Sequence, residues 1–539
     1  MKKAFALLMT LVLCTLLLPA VVLGQGNSNE TKAEVMRPTH FDRSARPLRE
    51  MFDRGGKVDA ARGGRDFEPG RPQPVGNTMP GGVDPLVERN NVAFSAYAQP
   101  RAATTGVGID PAARVAPPDT TGDLGRNHYV QWVNLRYAIY SLVRDPLTNQ
   151  ISNFALLPGF PKNGNVLWQG FGGPCETMND GDPIVQYDQF ADRWVMTQFA
   201  VAAQPFTQCV AVSTSPDPTG TYYRYAYSFG RDFNDFPKMG VWRDGYYITY
   251  NMFRGGRTFS GSNVCALERD KMLVGAAARQ ICTLTASAHS LEPADIEGPT
   301  LPAAGSANPL LSIGTSSLQA WRYSVNWTAG TSALTGPFTV PGVSFSRACG
   351  GGTCIPQAGT TQQLDSMGDR LNYRLSYRNF GTHESMVINH AVATGGTSGI
   401  RWYELRNAAG QTLGGANPVL YQQGTFSPDS THRWLGSAAI DKTGGIAVGY
   451  NVSSASVRPS IRYAYRAAGD PLGALGNETS AFVGPGSQTS GLSRWGDYST
   501  LSVDPVDGCT MVFTTEYQPA NGTFNWATYI YSFKLSTCQ

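Results

Sequence analysis

A dipeptide, which we call the mark, recurs along this chain at nearly even spacing, and it constrains the fold more than any other feature. Gly-Asp stands at Gly122-Asp123, Gly181-Asp182, Gly368-Asp369 and Gly496-Asp497. Related pairs fill the places between, at Phe236-Pro237, Gly305-Ser306 and Gly436-Ser437. The gaps average roughly 62 residues, and aromatic-rich strand patterns follow each mark. A period of this length predicts one small sheet that is repeated around an axis.

Between consecutive marks the sequence predicts four short antiparallel strands. In the second repeat these are Pro183–Asp188, Trp194–Ala200, Cys209–Ser215 and Tyr222–Phe229. The fourth repeat has the weakest pattern, with strands predicted at Pro309–Ile313 and Leu318–Val325. Four such strands form one blade of a β-propeller. Residues 108–539 are therefore predicted to form a single all-β propeller of seven four-stranded blades. Six or eight blades remain alternatives, because residues 255–360 are irregular.

The composition agrees with this fold class and excludes several functions. Charged residues make up only 15% of the chain, while Gly (60) and Pro (35) are abundant, which is typical of many short strands and turns. The formal net charge of +3 is too small for this length to indicate a nucleic-acid partner. The sequence has no Gly-x-Ser-x-Gly elbow, His-Glu-x-x-His motif or phosphate-binding loop.

The first 24 residues have the pattern of an export signal. Lys2 and Lys3 precede an apolar stretch that runs from Ala4 to about Val22, and Gly24 suits cleavage before Gln25. A membrane anchor is the alternative for this segment. No later segment is long and apolar enough to span a bilayer. The mature protein is predicted to be secreted and monomeric, with the periplasm or the cell surface as alternative locations.

Residues 25–107 differ from the rest of the chain. Arg, Gly, Pro and Asp dominate, and no apolar period persists. Such a segment buries too little apolar surface to offset the entropy of ordering. We predict a flexible, disordered leader or pro-segment, with a cell-surface tether as the alternative.

Eight cysteines remain after the predicted signal, and an even number in an exported chain indicates disulfides. Sequential pairing is the simplest connectivity, although the sequence does not prove it. The predicted bonds are Cys175–Cys209, Cys265–Cys282, Cys349–Cys354 and Cys509–Cys538. A metal site is less favoured, because no Cys-x-x-Cys pair or His cluster accompanies these cysteines.

Four local motifs resemble those of known propellers. The run Ser215–Tyr222 resembles the Asp box of sialidase-like propellers, with one residue inserted before Gly220 and Tyr in place of the usual Trp. The run Gly181–Asp188 is similar to the Asp-Pro strand start of five-bladed glycosidases. The segments 117–125 and 494–498 look like marks of secreted bacterial propeller proteins. These resemblances imply a glycan-linked propeller superfamily, with the Asp box forming the hairpin between two outer strands.

In a propeller, ligands commonly bind at the face where the inner strands begin and the second strands end, which is an expectation from fold analogy. The predicted strand starts bring a set of aspartates to this face, and the ends of the second strands and nearby loops add amides, basic groups and aromatic rings. The candidate substrate-binding residues are Asp123, Asp235, Asp369, Gln198, Asn251, Arg254, His390, Trp434, Asn451, Arg458 and Trp495.

Glu516, Asp497 and Asp182 are the candidate catalytic residues. Carboxylates that lie close to one axis repel each other, so some are expected to have a raised pKa. A protonated carboxylic acid beside an ionised partner is what glycoside hydrolysis uses. Gly-Asp at a strand start is also common turn chemistry, which is the structural alternative for each Asp. No cofactor is predicted, and a structural calcium ion near Asp180, Asp182 and Asp188 is the alternative.

The sequence leaves three functions open. The first is an exported enzyme that cleaves a polysaccharide or cell-surface glycan, as a hydrolase or a lyase. The second is a non-catalytic binding or adhesion propeller that uses the same face. The third is a structural surface protein tethered by the leader. A hydrolase requires two carboxyls at a separation of about 5.5 Å, or roughly 6.5–9.5 Å if it inverts configuration.

Overall fold

The computed structural model describes residues 33–53, 79–88, 100–109 and 115–539, and these consist almost entirely of strands and loops. The predicted signal peptide, 1–24, lies outside the described residues. Within these ranges the α-helices are α1 (Gly173–Thr177) and α2 (Arg269–Met272), and short 3-10 helices lie at Leu48–Glu50, Gly164–Trp168 and Ala348–Gly351. None of the described helices has the length and apolar character needed to cross a bilayer. The predicted all-β class is confirmed.

The strands fall into a short N-terminal group and a series of repeats. The N-terminal strands are β1 (Glu34–Met36), β2 (His40–Arg43), β3 (Val87–Glu88) and β4 (Pro100–Val107). Repeat 1 contains β5 (Thr121–Leu124), β6 (His128–Val133), β7 (Arg136–Arg144) and β8 (Ile151–Leu156), with β9 (Lys162–Asn163) paired to β7. Repeat 2 contains β10 (Gly181–Asp188), β11 (Arg193–Ala200), β12 (Phe206–Ser213) and β13 (Tyr222–Gly230). Repeat 3 contains β14 (Phe233–Val241), β15 (Tyr246–Arg254), β16 (Thr258–Leu267) and β17 (Gln280–Thr285).

The remaining repeats follow the same plan. Repeat 4 contains β18 (Glu292–Glu297), β19 (Asn308–Ile313), β20 (Leu318–Asn326) and β21 (Thr331–Val340). A small hairpin of β22 (Thr353–Ile355) and β23 (Leu364–Asp365) follows it. Repeat 5 contains β24 (Asn372–Asn379), β25 (Glu384–Ala393), β26 (Ser398–Arg406) and β27 (Val419–Phe426). Repeat 6 contains β28 (His432–Ile440), β29 (Ile446–Ser453), β30 (Ser460–Arg466) and β31 (Gly476–Phe482). Repeat 7 contains β32 (Thr500–Val503), β33 (Thr510–Tyr517) and β34 (Ala527–Leu535).

Consecutive strands within each repeat pair antiparallel, and the repeats are arranged in a closed circuit. The first strand of each repeat contacts the first strand of the next, and β32 of repeat 7 contacts β5 of repeat 1. Between repeats 4 and 5 this contact becomes a parallel pairing of β18 with β24. Strand β4 pairs antiparallel with β34 and supplies the fourth strand of repeat 7, so the two ends of the repeating region are joined within one sheet.

The apolar core is distributed between neighbouring sheets. Trp132 of repeat 1 and Trp194 of repeat 2 belong to one buried cluster, and Tyr463 of repeat 6 stacks on Phe533 of repeat 7 with ring centroids 4.1 Å apart. Strands such as β11 are buried along nearly their whole length, because both faces of the sheet are covered by other sheets. This arrangement explains why the strands appear in the sequence as short, nearly continuous apolar runs.

The segment 25–107 is predicted to be a flexible leader, but its described parts contain the four strands β1 to β4, and each of them pairs with a strand of the repeats. Strand β1 extends repeat 3 through β17, β2 extends repeat 2 through β13, and β3 pairs parallel with β27 of repeat 5. Asp42 of β2 also accepts two hydrogen bonds from the buried Arg224, at 2.8 and 2.6 Å. The Arg/Gly/Pro composition did not reveal these strands, because pairing with an open sheet edge uses backbone groups and needs no apolar period.

Removal of residues 33–53 is expected to destabilise the protein. This deletion takes away Leu48 and Met51, which are buried, exposes the edges of β13 and β17, and leaves Arg224 without Asp42. We expect the free energy of unfolding to fall by roughly 3 kcal/mol or more. Thermal and denaturant unfolding of a chain that starts at 54, compared with one that starts at 33, measures the effect. Equal stability of the two chains would show that these strands are dispensable.

The four predicted disulfides are confirmed. Cys175–Cys209, Cys265–Cys282, Cys349–Cys354 and Cys509–Cys538 are all bonded. Cys265 and Cys282 face each other on the paired strands β16 and β17. Four disulfides are typical of a protein that matures in an oxidising, extracellular environment.

Candidate functional site

A residue with positive φ stands at the start of most first strands, and the Gly-Asp mark coincides with it only once. In six repeats of the described chain, a residue in the left-handed region with φ between 42° and 53° stands at this point: Asp119, Asp182, Phe236, Ser290, Met367 and Leu435. Only Asp182 belongs to a Gly-Asp pair, whereas Asp123 and Asp369 follow their left-handed residues by a few positions. Gly305-Ser306 lies between β18 and β19. The repeated dipeptide therefore does not occupy one structural position.

We call the edge of the circuit where the first strands begin and the second strands end the mouth. There the structure brings together the three candidate catalytic carboxyls, Asp182, Asp497 and Glu516, and adds Asp119. None of the four residues is more than 8% exposed. The backbone N–H of Asp497 donates to a carboxylate oxygen of Asp119 at 2.9 Å, and the backbone N–H of Asp182 donates to Asn134 at 2.9 Å.

The four carboxyls perturb one another. Burial raises the pKa of Glu516 well above its ordinary value, and the charges of Asp119 and Asp497 raise it further. Burial likewise raises the pKa of Asp119, with further increases from Asp497 and Asp182, while Arg494 lowers it. Neither carboxylate oxygen of Glu516 has a hydrogen-bond partner, but Asp497 accepts a hydrogen bond from Arg494. The two environments thus differ: burial and like charge favour the neutral form of Glu516, whereas Arg494 donates to Asp497.

Sequence reasoning missed two further buried residues, Lys238, which lies among the same carboxyls, and Glu292, which lies beside Lys238. Lys238 Nζ donates to the carbonyl of Pro237 at 3.0 Å and lies 3.3 Å from the centroid of the Phe236 ring. Burial raises the pKa of Glu292 to about 8, against the opposing charges of Lys238 and Arg370. Asp119, Lys238 and Glu292 come from three different repeats, so no local pattern in the sequence points to their proximity.

The Glu292 carboxyl is expected to make folding depend on pH. A carboxyl whose pKa is raised in the folded state contributes its full stability below its unfolded pKa and loses it as the pH rises through the folded pKa. The protein should therefore lose stability between about pH 5 and about pH 8, on the order of a few kcal/mol from this group. Glu292→Gln removes the titration and should be the more stable form at pH 8. Denaturant unfolding of both proteins across this range tests the prediction, and parallel pH profiles would contradict it.

Two loop segments, 345–367 and 484–495, cover the mouth, and we call them the cap. The Cys349–Cys354 loop and Met367 pack in one buried cluster with Phe236, Trp434 and Trp495. Hydrogen bonds join the two cap segments. The Gln357 side chain donates to the Gln488 carbonyl at 2.9 Å and accepts from the Gln488 backbone N–H at 2.8 Å. Ser487 donates to the carbonyl of Ala358 at 2.8 Å, and the backbone N–H of Asp365 donates to the carbonyl of Ser493 at 2.9 Å. The carboxyls of the mouth are therefore sealed from solvent in this conformation.

The predicted aromatic platforms lie in this same buried cluster, Trp434 on β28 and Trp495 at the end of the second cap segment. Trp434 and Trp495 are each at most 1% exposed and meet edge to face with ring centroids 5.9 Å apart. Neither indole N–H has a hydrogen-bond partner. These side chains contact a ligand only if the cap moves.

The predicted polar residues beside them are engaged in structural contacts. Asp235 is buried and lies opposite Asn251 in the pairing of β14 with β15. Asn251 accepts a hydrogen bond from the backbone N–H of Ser290 at 2.7 Å. Asn451 donates to the backbone carbonyl of Glu516 at 3.1 Å and so fixes the end of the strand that carries this candidate acid. Asp369 forms an ion pair with the adjacent Arg370 at 3.1 Å.

Four predicted residues lie apart from the carboxyl cluster or point to other environments. His390 is buried between Phe345 and Tyr403, and burial keeps its pKa well below the ordinary value. The buried Gln198 amide adjoins the backbone of Gly164, between repeats 1 and 2. Arg254 and Arg458 are exposed, and Arg458 donates to the carbonyl of Pro485 at the base of the cap.

Asp123 was predicted at the mouth, but it lies farther along the first strand in a separate ionic cluster. The buried Arg374 bonds three carboxylates there: Asp295 at 2.8 Å, Asp123 at 3.3 Å, and Glu297. Asp123 also accepts a hydrogen bond from the backbone N–H of Tyr187 at 2.8 Å. These contacts tie the first strands of repeats 1, 2, 4 and 5 together inside the ring.

The alternative of a calcium site gains no support from this geometry. Asp180 accepts hydrogen bonds from the backbone of Val201 and Ala202, and Asp188 is bonded to Arg269. In the part of the chain that the structure describes, no group of three or more His, Cys, Asp or Glu side chains is arranged to hold a metal ion. A shallow cleft of about 200 Å³ between repeats 4 and 5, lined by Leu318, Phe345 and Tyr403 among others, does not include the mouth carboxyls.

Comparisons with known proteins give only distant likenesses. No family model matches the chain, and no curated protein does. One similar solved structure is an endo-arabinase from Bacteroides thetaiotaomicron, at 15% identity over 52% of this chain and 92% of that chain, with a TM-score of 0.28. Another is an alpha-L-arabinanase from Penicillium chrysogenum, at 9% identity over 80% and 98% of the two chains, with a TM-score of 0.34. A third is an exo-beta-1,3-galactanase from Clostridium thermocellum, at 13% identity over 75% and 81%, with a TM-score of 0.30.

Likenesses this slight carry no argument about the fold or the activity of this chain. The three structures are named as an arabinase, an arabinanase and a galactanase, and the sialidase-like resemblance of this chain stays a prediction from one hairpin. The hairpin that prompted it does lie between β12 and β13, the third and fourth strands of repeat 2. Asp217 caps this turn by accepting a hydrogen bond from the backbone N–H of Thr219 at 2.8 Å.

Proposed function

We propose that the chain is an exported, monomeric seven-bladed β-propeller that hydrolyses a polysaccharide or cell-surface glycan at its mouth. Seven successive first strands in a closed circuit support the blade count. Four disulfides are what an exported protein would carry. The observation that carries the function is the Glu516 carboxyl, which is buried beside Asp497 and Asp119 without a hydrogen-bond partner of its own.

In this proposal Glu516 is the general acid and Asp497 is the ionised carboxylate. Glycoside hydrolysis needs one carboxyl that holds its proton near neutral pH and one that does not, and the two environments differ in this direction. Glu516 has no balancing cation, whereas Arg494 donates to Asp497. Asp182 adds negative charge beside the position where an oxocarbenium-like transition state would develop. Lys238 is the base that a lyase would use at the same place.

The remaining candidate residues take supporting roles. With the cap open, Trp434 offers an apolar face to a sugar ring and Trp495 moves with the cap. Asp235, Asp369, Asn251 and Asn451 hold the walls of the mouth in place, while Gln198 and His390 support the strands farther from the carboxyls. Arg254 and Arg458, which are exposed, are positioned to contact a longer chain.

A screen of plant, algal and bacterial polysaccharides tests the proposal. Release of reducing ends by the wild-type protein is the expected result, and an unsaturated product detected by its ultraviolet absorbance would indicate a lyase instead. The same screen should be run on a Gln357→Ala variant, because loss of the hydrogen bonds from Gln357 to Gln488 loosens the cap and should raise the rate. No cleavage by either protein would contradict an enzymatic function.

A binding or adhesion propeller is the second candidate, and the cap is the observation that favours it. The mouth carboxyls are sealed in the described conformation, and a protein that binds through its outer surface has no need to expose them. A glycan array separates the two functions: retained binding without cleavage of any bound glycan supports adhesion.

A further inference from the structure

A short segment from the N-terminal region of the chain reaches the cap. Residues 79–88, which we call the strap, run from the buried cluster at the mouth to the outer strand of repeat 5, β27. At the first end of the strap, Met79 is half-buried and packs against the cluster that contains Cys349, Trp434 and Trp495. The strap therefore contacts the same cluster through which the cap closes the mouth.

The other end of the strap is fixed by a buried ion pair. Asp84 accepts a hydrogen bond from Arg401, and the side chains of both residues are fully buried. Asp84 also accepts from the Thr425 hydroxyl at 3.2 Å, and the backbone N–H of Thr425 donates to the carbonyl of Leu86 at 3.3 Å. Arg401 in turn donates at 2.9 Å to the carbonyl of Val343, which lies just before the first cap segment. Because breaking a buried ion pair is costly, Asp84 anchors the strap firmly beside the base of the cap.

Between these two contacts the strap is exposed. Gly81, Gly82 and Val83, which we call the link, lie at the surface, and Val83 is 65% exposed. Apart from the adjacent residues, no heavy atom of the described chain lies within 4 Å of the point where a Cβ would stand at Gly81 or Gly82. Exposed loops of small residues are the preferred sites of proteolytic cutting. The link thus joins a packed residue and a buried anchor through a stretch of chain that an endoprotease can reach.

We propose that the strap is an inhibitory latch, which holds the cap over the mouth until the link is cut. While the link is intact, the Asp84 anchor keeps Met79 at a high effective concentration beside the cap cluster, so their contact re-forms each time it breaks. Cutting hydrolyses one peptide bond: water supplies a hydroxyl group to the new carboxyl end and a hydrogen to the new amino end. Met79 is then no longer tied to Asp84, and local opening of the cap becomes more frequent. The latch acts in the same way on a mouth that cleaves a glycan and on one that only binds it.

Hydrogen exchange of the cap measures the latch. A recognition sequence for a site-specific endoprotease is inserted between Gly81 and Gly82 of the full chain, and exchange of the cap segments 345–367 and 484–495 is compared before and after the folded protein is cut. We expect exchange of both segments to rise at least about threefold, while strand β11 serves as the internal reference for global unfolding. The same insertion between Leu147 and Thr148, in the exposed turn between β7 and β8, should leave cap exchange unchanged when it is cut.

Point variants show whether the cut acts through Met79. Met79→Ala should raise cap exchange in the uncut protein, and cutting this variant should then add little, because both changes remove the same contact. Met178→Ala makes the same change at a half-buried methionine that packs on a different cluster, and it should leave cap exchange as in the wild type. Equal cap exchange in the cut and uncut proteins, or a cut that has its full effect in Met79→Ala, would overturn the inference. Raised exchange without cleavage of any glycan would contradict only the proposed hydrolase.

Discussion

Glu516→Gln is expected to abolish cleavage of the polysaccharide while leaving the protein as stable as the wild type, or more stable. An amide of nearly the same shape cannot protonate the leaving oxygen, so the rate should fall at least about 100-fold. The folded protein should not suffer, because neither carboxyl oxygen of Glu516 makes a hydrogen bond that would be lost. Initial rates of reducing-end release and denaturant unfolding of the two proteins measure these effects.

The combination of lost activity and retained stability is what distinguishes a functional acid from a structural one. Asp270→Asn provides the matched control, since it makes the same acid-to-amide change at an exposed side chain and should alter neither quantity. If Glu516→Gln cleaves the substrate at the wild-type rate, Glu516 is not the general acid. If it loses stability together with activity, the carboxyl has a structural role that its environment does not reveal.

Local chemistry explains what could be predicted from the sequence. The strand predicted at Trp194–Ala200 is observed at Arg193–Ala200, and that predicted at Leu318–Val325 is observed at Leu318–Asn326. Short apolar runs between turn residues carry this information within a few positions of the chain. The disulfide pairings could also be predicted, because each bond joins cysteines that follow one another in sequence order.

The residues of the site were harder to predict from the sequence, because their proximity depends on how distant repeats are placed in the ring. Glu516, Asp497 and Asp182 were predicted to lie together because each stands at a predicted strand end, but Lys238 and Glu292 come near them only through the geometry of the ring. The first strand of repeat 4, which begins at Glu292, was missed because the Gly305-Ser306 mark lies after it. Likewise, Asp123 was assigned to the mouth because Gly122-Asp123 looked equivalent to Gly181-Asp182, although the left-handed residue of repeat 1 is Asp119.

Arg374→Met is expected to have the largest effect on stability of any single substitution at the ring interior. Arg374 is 2% exposed and bonds three buried carboxylates, Asp123, Asp295 and Glu297, which come from two other first strands. Methionine fills much of the same space but leaves those carboxylates without a cation. Loss of one partner from a buried ionic cluster typically lowers the free energy of unfolding by about 3–5 kcal/mol. The midpoint temperature of thermal unfolding should therefore fall by several degrees.

The pH dependence of this loss identifies its cause. With the cation gone, the three carboxyls need protons to remain buried, so the destabilisation should be smaller at about pH 5 than at about pH 8. Burial already raises the pKa of Asp295 to about 8 against the opposing charge of Arg374, which makes Asp295 the first group to take up a proton. Arg231→Met, at an exposed arginine, controls for the loss of charge alone. A loss of stability that is the same at both pH values would mean that Arg374 stabilises the ring by packing, and that the carboxylates around it are neutral in the wild type.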